Sequence, residues 1–231
     1  MDDKQEKHLP YYRLLDGIKS ANECPLCILE SESLHTYVDG ILYESVNDFG
    51  IRADLILSKG YCARHAEVLV SFENGLATAI LYQDQVRIFL RLLESLANTS
   101  LRAASGAVLR YAQHAECPLC RYGRELREHF VSALAKGLEH EEMRNAFKSS
   151  PGLCTPHFLL AARSTQSEAV LSFLVETERS KFSELLQELE TLCRKHDYRY
   201  SHEGFGREAD SWLRAARMMA GRDDSPDVRR K

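Results

Sequence analysis

The pentapeptide ECPLC, Glu23–Cys27, occurs a second time, letter for letter, at Glu116–Cys120, an offset of 93. The hexapeptide GYCARH, Gly60–His65, returns as GLCTPH, Gly152–His157, an offset of 92. Four cysteine and histidine positions therefore recur in one order with a single residue of slippage. Chance is a poor explanation. The pattern reads as a tandem duplication of a unit of about 90 residues, with the seam near Asn98-Thr99-Ser100. It predicts a helical unit over 1–98, a second over 99–195, and a C-terminal docking segment with a disordered tail over 196–231.

Around these motifs the hydrophobic period is helical. Ala79, Tyr82, Val86, Phe89, Leu93 and Leu96 step by 3, 4, 3, 4 and 3, one face of a long amphipathic helix. Phe182, Leu185, Leu189 and Leu192 repeat that stepping in the second unit. No segment alternates as a strand with hairpin turns would. Pro25 and Pro118 follow the first cysteine of each ECPLC, where proline is pre-set for the first helical position. Thr155-Pro156 reads as an N-cap followed by that proline. Breaks fall at Asn74-Gly75, at Ser149-Ser150-Pro151-Gly152 and at Gly204 and Gly206. The expected fold is all-α.

Each unit carries C-x2-C, a long insert and C-x2-H. Grouped by unit, the expected ligands are Cys24, Cys27, Cys62 and His65 in the first, and Cys117, Cys120, Cys154 and His157 in the second. Two residues three apart at a helix start project to one side and can reach one ion. The unpaired N–H groups there favour thiolate, the form that binds metal. Two such halves complete a Cys3His shell, so the expected cofactor is zinc, two ions per chain. An iron–sulfur cluster fits the same ligand types and stays open as the alternative. A redox reading of CPLC lacks the βαβ context it needs. Cys193 is left over; Cys193-x-x-His196 has the half-site spacing but no partner pair.

Composition bounds the rest. The chain has 231 residues, 44% hydrophobic and 28% charged, with a net charge of −4, which excludes a disordered or collagen-like chain and gives no bulk attraction to nucleic acid. No apolar run approaches a membrane span. The N-terminus MDDKQEKHLP lacks the apolar core of a signal peptide, so a cytoplasmic location with reduced cysteines is expected. Residues 20–100 hold 5 basic and 11 acidic side chains, whereas 192–231 hold 10 and 7. That basic tail reads as a solvated face.

A second candidate site lies near the C-terminus. His196, Asp197, Tyr198 and Arg199, with Asp210 and Trp212 beyond, form a polar and aromatic cluster of a type that serves acid–base chemistry or anion binding. Against that stands a docking role, because sequence neighbours rarely converge on one reacting atom. A helix from Arg207 to Ala220 needs an apolar seat, which predicts that Trp212 is at least partly buried.

The strings HLPYYRLLDGI (His8–Ile18), ILYESVND (Ile41–Asp48), GLATAILYQD (Gly75–Asp84), KHDYRY (Lys195–Tyr200) and DSWLRA (Asp210–Ala215), with the duplicated motifs, run over almost the whole chain. In these the chain resembles an uncharacterised bacterial family, a domain of unknown function with duplicated CPLC and G-x-C-x-x-H motifs. The resemblance implies metal-binding helical units and carries no activity. The expectation is thus a binding or scaffold module with an unknown protein or small-molecule partner. The alternative is an iron–sulfur redox protein or an enzyme using the C-terminal cluster.

Overall fold

The computed structural model describes residues 9–97, 99–200 and 202–222. Among them are eleven α-helices and no strand: α1 Leu9–Ser20, α2 Pro25–Glu44, α3 Phe49–Ser58, α4 Ala63–Val70, α5 Gly75–Ala97, α6 Leu101–Ala112, α7 Pro118–Gly137, α8 Glu141–Ser149, α9 Thr155–Ser164, α10 Glu168–Lys195 and α11 Ser211–Ala220. Short 3-10 turns at Tyr198–Tyr200 and Arg207–Asp210 join the last two. The all-α expectation holds. Asn98 and everything from Asp223 on lie outside the described residues, so the seam residue and the expected disordered tail do too.

Two compact units form, one from residues 9–30 with 126–222, the other from 31–125. They are not the two stretches that repeat in sequence. The division falls inside α2 and α7, the helices that each ECPLC begins.

In the first unit, Leu14, Leu15 and Ile18 of α1 pack with Leu134 of α7, Leu138 just past its end, Phe147 of α8 and Leu174 of α10. In the second, Leu34, Val38 and Leu42 of α2 pack with Leu55 of α3, Leu69 of α4 and Leu81 of α5. Removing side chains of this size from water supplies about 1.5–3 kcal/mol each.

The long amphipathic helices diverge from expectation in one unit. On α10, Leu185 and Leu192 are buried, because the turn Arg207–Asp210 and α11 lie against that helix. On α5, Val86, Phe89 and Leu93 are exposed, Phe89 to 46%. The helix that follows, α6, packs on α5 yet has no buried residue of its own. The periodicity of α5 was that of a covered face, and in its C-terminal half the face is open.

Trp212 also departs from expectation, being 61% exposed. The buried positions of α11 are Ser211 and Met218, seven apart and on one stripe. Trp212 lies about 100° round from Ser211 and so off that stripe.

Candidate metal centres

All four half-sites are built alike. In each, the first cysteine precedes a helix and its carbonyl accepts the N–H four residues on: Cys24 from Ile28 (3.3 Å), Cys62 from Ala66 (2.8 Å), Cys117 from Arg121 (3.1 Å) and Cys154 from Phe158 (2.8 Å). The second ligand follows in the first turn. Cys154, not Thr155, is the N-cap of α9, and neither Cys62 nor Cys154 caps through its side chain, since the sulfur is turned to the other ligands. Helix N-termini carry partial positive charge, so two such ends stabilise the thiolates of each group. Gly60 and Gly152, two residues before Cys62 and Cys154, take φ of 100° and 90°. That left-handed turn, which side-chain-bearing residues resist, delivers the chain into the half-site.

The halves pair differently from the sequence expectation. Cys24 and Cys27 join Cys154 and His157, while Cys62 and His65 join Cys117 and Cys120; within each group the ligand atoms lie within 4.8 Å of one another. Each C-x2-C therefore closes with the C-x2-H of the other repeat, which corrects the grouping by unit. A 20-residue helix, about 30 Å long, follows each C-x2-C, and spacing along the chain does not say whether the next C-x2-H returns to the pair left behind.

In the first centre, Nδ1 of His157 stands 3.5 Å from Cys24 Sγ, 3.4 Å from Cys27 Sγ and 3.1 Å from Cys154 Sγ, and Cys27 Sγ is 3.6 Å from Cys154 Sγ. In the second, Nδ1 of His65 is 3.3, 3.5 and 3.4 Å from the sulfurs of Cys62, Cys117 and Cys120, and Cys62 Sγ is 3.7 Å from Cys120 Sγ. An ion about 2.3 Å from sulfur and about 2.0–2.1 Å from nitrogen has tetrahedral edges of roughly 3.5–3.8 Å. The donor sets fit one ion each.

The electrostatics agree with a cation. Burial disfavours a charged His157, but the sulfurs of Cys154, Cys24 and Cys27 and the carboxylate of Glu30 together hold its pKa far above the ordinary value. The same thiolates and carboxylate are the charges that a divalent ion would meet there. Burial likewise opposes the Cys117 thiolate, yet hydrogen bonds from His65 and from backbone N–H groups outweigh it and lower its pKa; burial and that thiolate together raise Cys120.

Residues that spacing did not single out complete the first centre. Glu30 Oε1 lies 2.7 Å from His157 Nε2, and Arg127 donates to the other carboxylate oxygen at 3.2 Å. The backbone N–H of Arg222 donates to Cys27 Sγ at 3.4 Å. Glu178 on α10 accepts the N–H of Leu153 at 2.7 Å; Lys181 donates to the carbonyls of Lys148 and Ser150. Both clamp the loop that presents Cys154. Beside this centre a cavity of about 780 Å³ is lined by Cys24 and Cys27 and, further round, by Glu188, Arg207, Asp210 and Arg214.

The C-terminal candidates do not assemble. Asp197 is bound by Arg199, at 3.0 Å to the backbone N–H and 2.6 Å to the guanidinium, which holds its carboxyl below the usual range. Asp210 accepts from Arg214 at 2.8 Å. His196 ends α10, Tyr198 is exposed, and Asp210 alone of the six lines the cavity. Cys193 is exposed on α10, away from both centres.

A curated relative from Caldicellulosiruptor sp. (strain Rt8B.4), the "Uncharacterized 23.9 kDa protein in xynA 3'region", is 28% identical over 202 residues, 87% of this chain and 96% of its own length. No solved structure matches the chain. The model of one protein family, described as a family of unknown function, DUF6062, matches residues 6–226 and so spans both ECPLC motifs, both C-x2-H motifs and α11. With all eight ligand positions inside that match, the chain belongs to the DUF6062 family.

Proposed function

We propose that this chain is a binding module made of two helical units, each stapled by a zinc ion, and that it works in the cytoplasm. The observation that carries the reading is the closure of both Cys3His groups at distances suited to a single ion. A polynuclear cluster bonds its ligands to different irons and needs its donors spread around the cluster, so the short edges support zinc over iron–sulfur. Closed sets of sulfur and nitrogen donors are the usual structural zinc sites. Four protein ligands leave no coordination position for a substrate, which favours a structural role over a catalytic one. Thiolates in such number require a reducing compartment.

The surface of α5 and α6 supports the binding role. Val86, Phe89, Leu93, Leu101 and Leu109 are exposed there, Leu101 to 89%, and contiguous apolar surface marks interaction sites. Arg87, Arg91, Arg102 and Arg110 outnumber Asp84 and Glu94 on these two helices. On α10 the corresponding apolar stripe is covered by α11, whose Arg214 meets Glu188. The partner that fits α5 and α6 is a protein bringing an amphipathic helix with acidic flanks.

Elemental analysis of protein prepared without oxygen tests the metal: two zinc ions per colourless chain are expected. A brown protein with acid-labile sulfide, or a folded one without metal, overturns it. For the binding role, Phe89→Glu with Leu93→Glu keeps both ions and loses a partner that the unchanged chain retains. Identical partner profiles overturn that half of the reading.

A further inference from the structure

We infer that the two centres are unequal: the first is a permanent staple, and the second, Cys62, His65, Cys117 and Cys120, exchanges its ion. The inference rests on the reading that both groups hold a metal. It comes from comparing equivalent positions of the two repeats.

At the first centre all four ligands are buried. Glu30, itself buried, anchors the imidazole through Nε2 and is held in turn by Arg127. Gly221 lies against Cys154 and Cys27, so close that a Cβ there would stand 3.4 Å from Cys154 Sγ, and the next N–H bonds Cys27. At the second centre Cys62 and Cys120 are only half-buried. Aligned on ECPLC, ECPLCILE in the first repeat faces ECPLCRYG in the second, so Gly123 stands where Glu30 does. A glycine extends no carboxylate. The space is there for one, since a Cβ at Gly123 would meet nothing within 4 Å.

These differences act on ligand exchange. Metal leaves when an incoming donor reaches the ion or when one ligand swings off. Half-buried cysteines ease the first route; a carboxylate on the histidine's far nitrogen obstructs the second by fixing the ring and raising its basicity. At the first centre, removing such an outer partner costs about 10–100-fold in affinity. The second centre is therefore where an incoming thiolate, imidazole or carboxylate donor can take, deliver or share the ion.

The test is zinc release from the full zinc-loaded chain into excess 4-(2-pyridylazo)resorcinol, followed by its colour. Two phases of one ion each are expected, at least tenfold apart in rate. Cys120→Ser removes the fast phase; Glu30→Gln accelerates the slow one; Gly123→Glu slows the fast one. Both ions leaving at one rate, or a fast phase that survives Cys120→Ser, overturns the inference while leaving the metal reading intact. A loaded chain that releases neither ion overturns the inference too, and a chain that takes up no zinc at all overturns the metal reading itself.

Discussion

At Gly221 the chain ends α11 with φ 76° and ψ 179°, a region open essentially to glycine alone. The conformation brings the following N–H onto Cys27 Sγ and seats the backbone against Cys154. Gly221→Ala adds a side chain in a strained backbone and against a ligand sulfur, so a loss of about 1–3 kcal/mol is expected. Thermal unfolding of the zinc-loaded protein checks it. The control Gly204→Ala, where a Cβ meets nothing within 4 Å, leaves the melting temperature nearly unchanged. Spacing made the eight ligands legible because each half-site needs two donors three apart at a helix start. Glu30 and Gly221 were not legible that way. Glu30 follows Cys27 by three residues as an ordinary helical glutamate, and only the contrast of ILE with RYG at the end of the aligned octapeptides hints that it differs from its counterpart. Gly221 reads as a helix stop, and nothing local says that the stop falls on a sulfur.

Among the helices, α10 steadies the loop before Cys154 through a buried carboxylate. Burial pushes the Glu178 carboxyl up to about 7, against the opposing pull of the Leu153 N–H and Lys181. Its pKa is thus higher folded than unfolded, where about 4.3 is ordinary. The folded chain binds the extra proton between those values, so this group's contribution to stability is present in full below about 4.3 and is lost as pH rises through about 7. Glu178→Gln keeps an acceptor for Leu153 without a charge to bury. Relative to the unchanged protein, the variant therefore gains stability from pH 5 to pH 8, by the order of 1–3 kcal/mol. Denaturant unfolding at several pH values measures the difference, and a pH-independent difference removes Glu178 from the account. Comparing the two proteins cancels protonation of the metal ligands, which weakens both in acid. The period of α10 and α5 was legible as amphipathic in each case. Which face gets covered was not, because α10 is covered by the turn Arg207–Asp210 together with α11, whereas α6, which packs on α5, buries no residue of its own.

Across the whole chain, the repeat in sequence and the units in space are two different partitions, and the metal follows the second. Helical content and the existence of two Cys3His sets follow from local rules of period, capping and donor spacing. The pairing of the half-sites depends on the path of the whole chain between them, a global property to which spacing is blind. It also separates two schemes by stoichiometry. If the sets closed within each repeat, Cys24→Ser with Cys62→Ser would damage one site and leave one ion bound. In the arrangement observed, Cys24 and Cys62 serve different ions, so that pair of substitutions damages both sites. Cys24→Ser with Cys154→Ser damages only the first, and Cys62→Ser with Cys117→Ser only the second. Zinc counted per chain after gel filtration is expected near one for the latter two proteins and near zero for the first. Because binding energy at such sites is part of folding energy, the protein that lacks both also loses the most helical signal on mild heating. Chelation of the unchanged chain reproduces that state and exposes all seven cysteines to a thiol reagent, where the loaded protein offers Cys193 first. One ion retained by Cys24→Ser with Cys62→Ser sinks the crossed pairing.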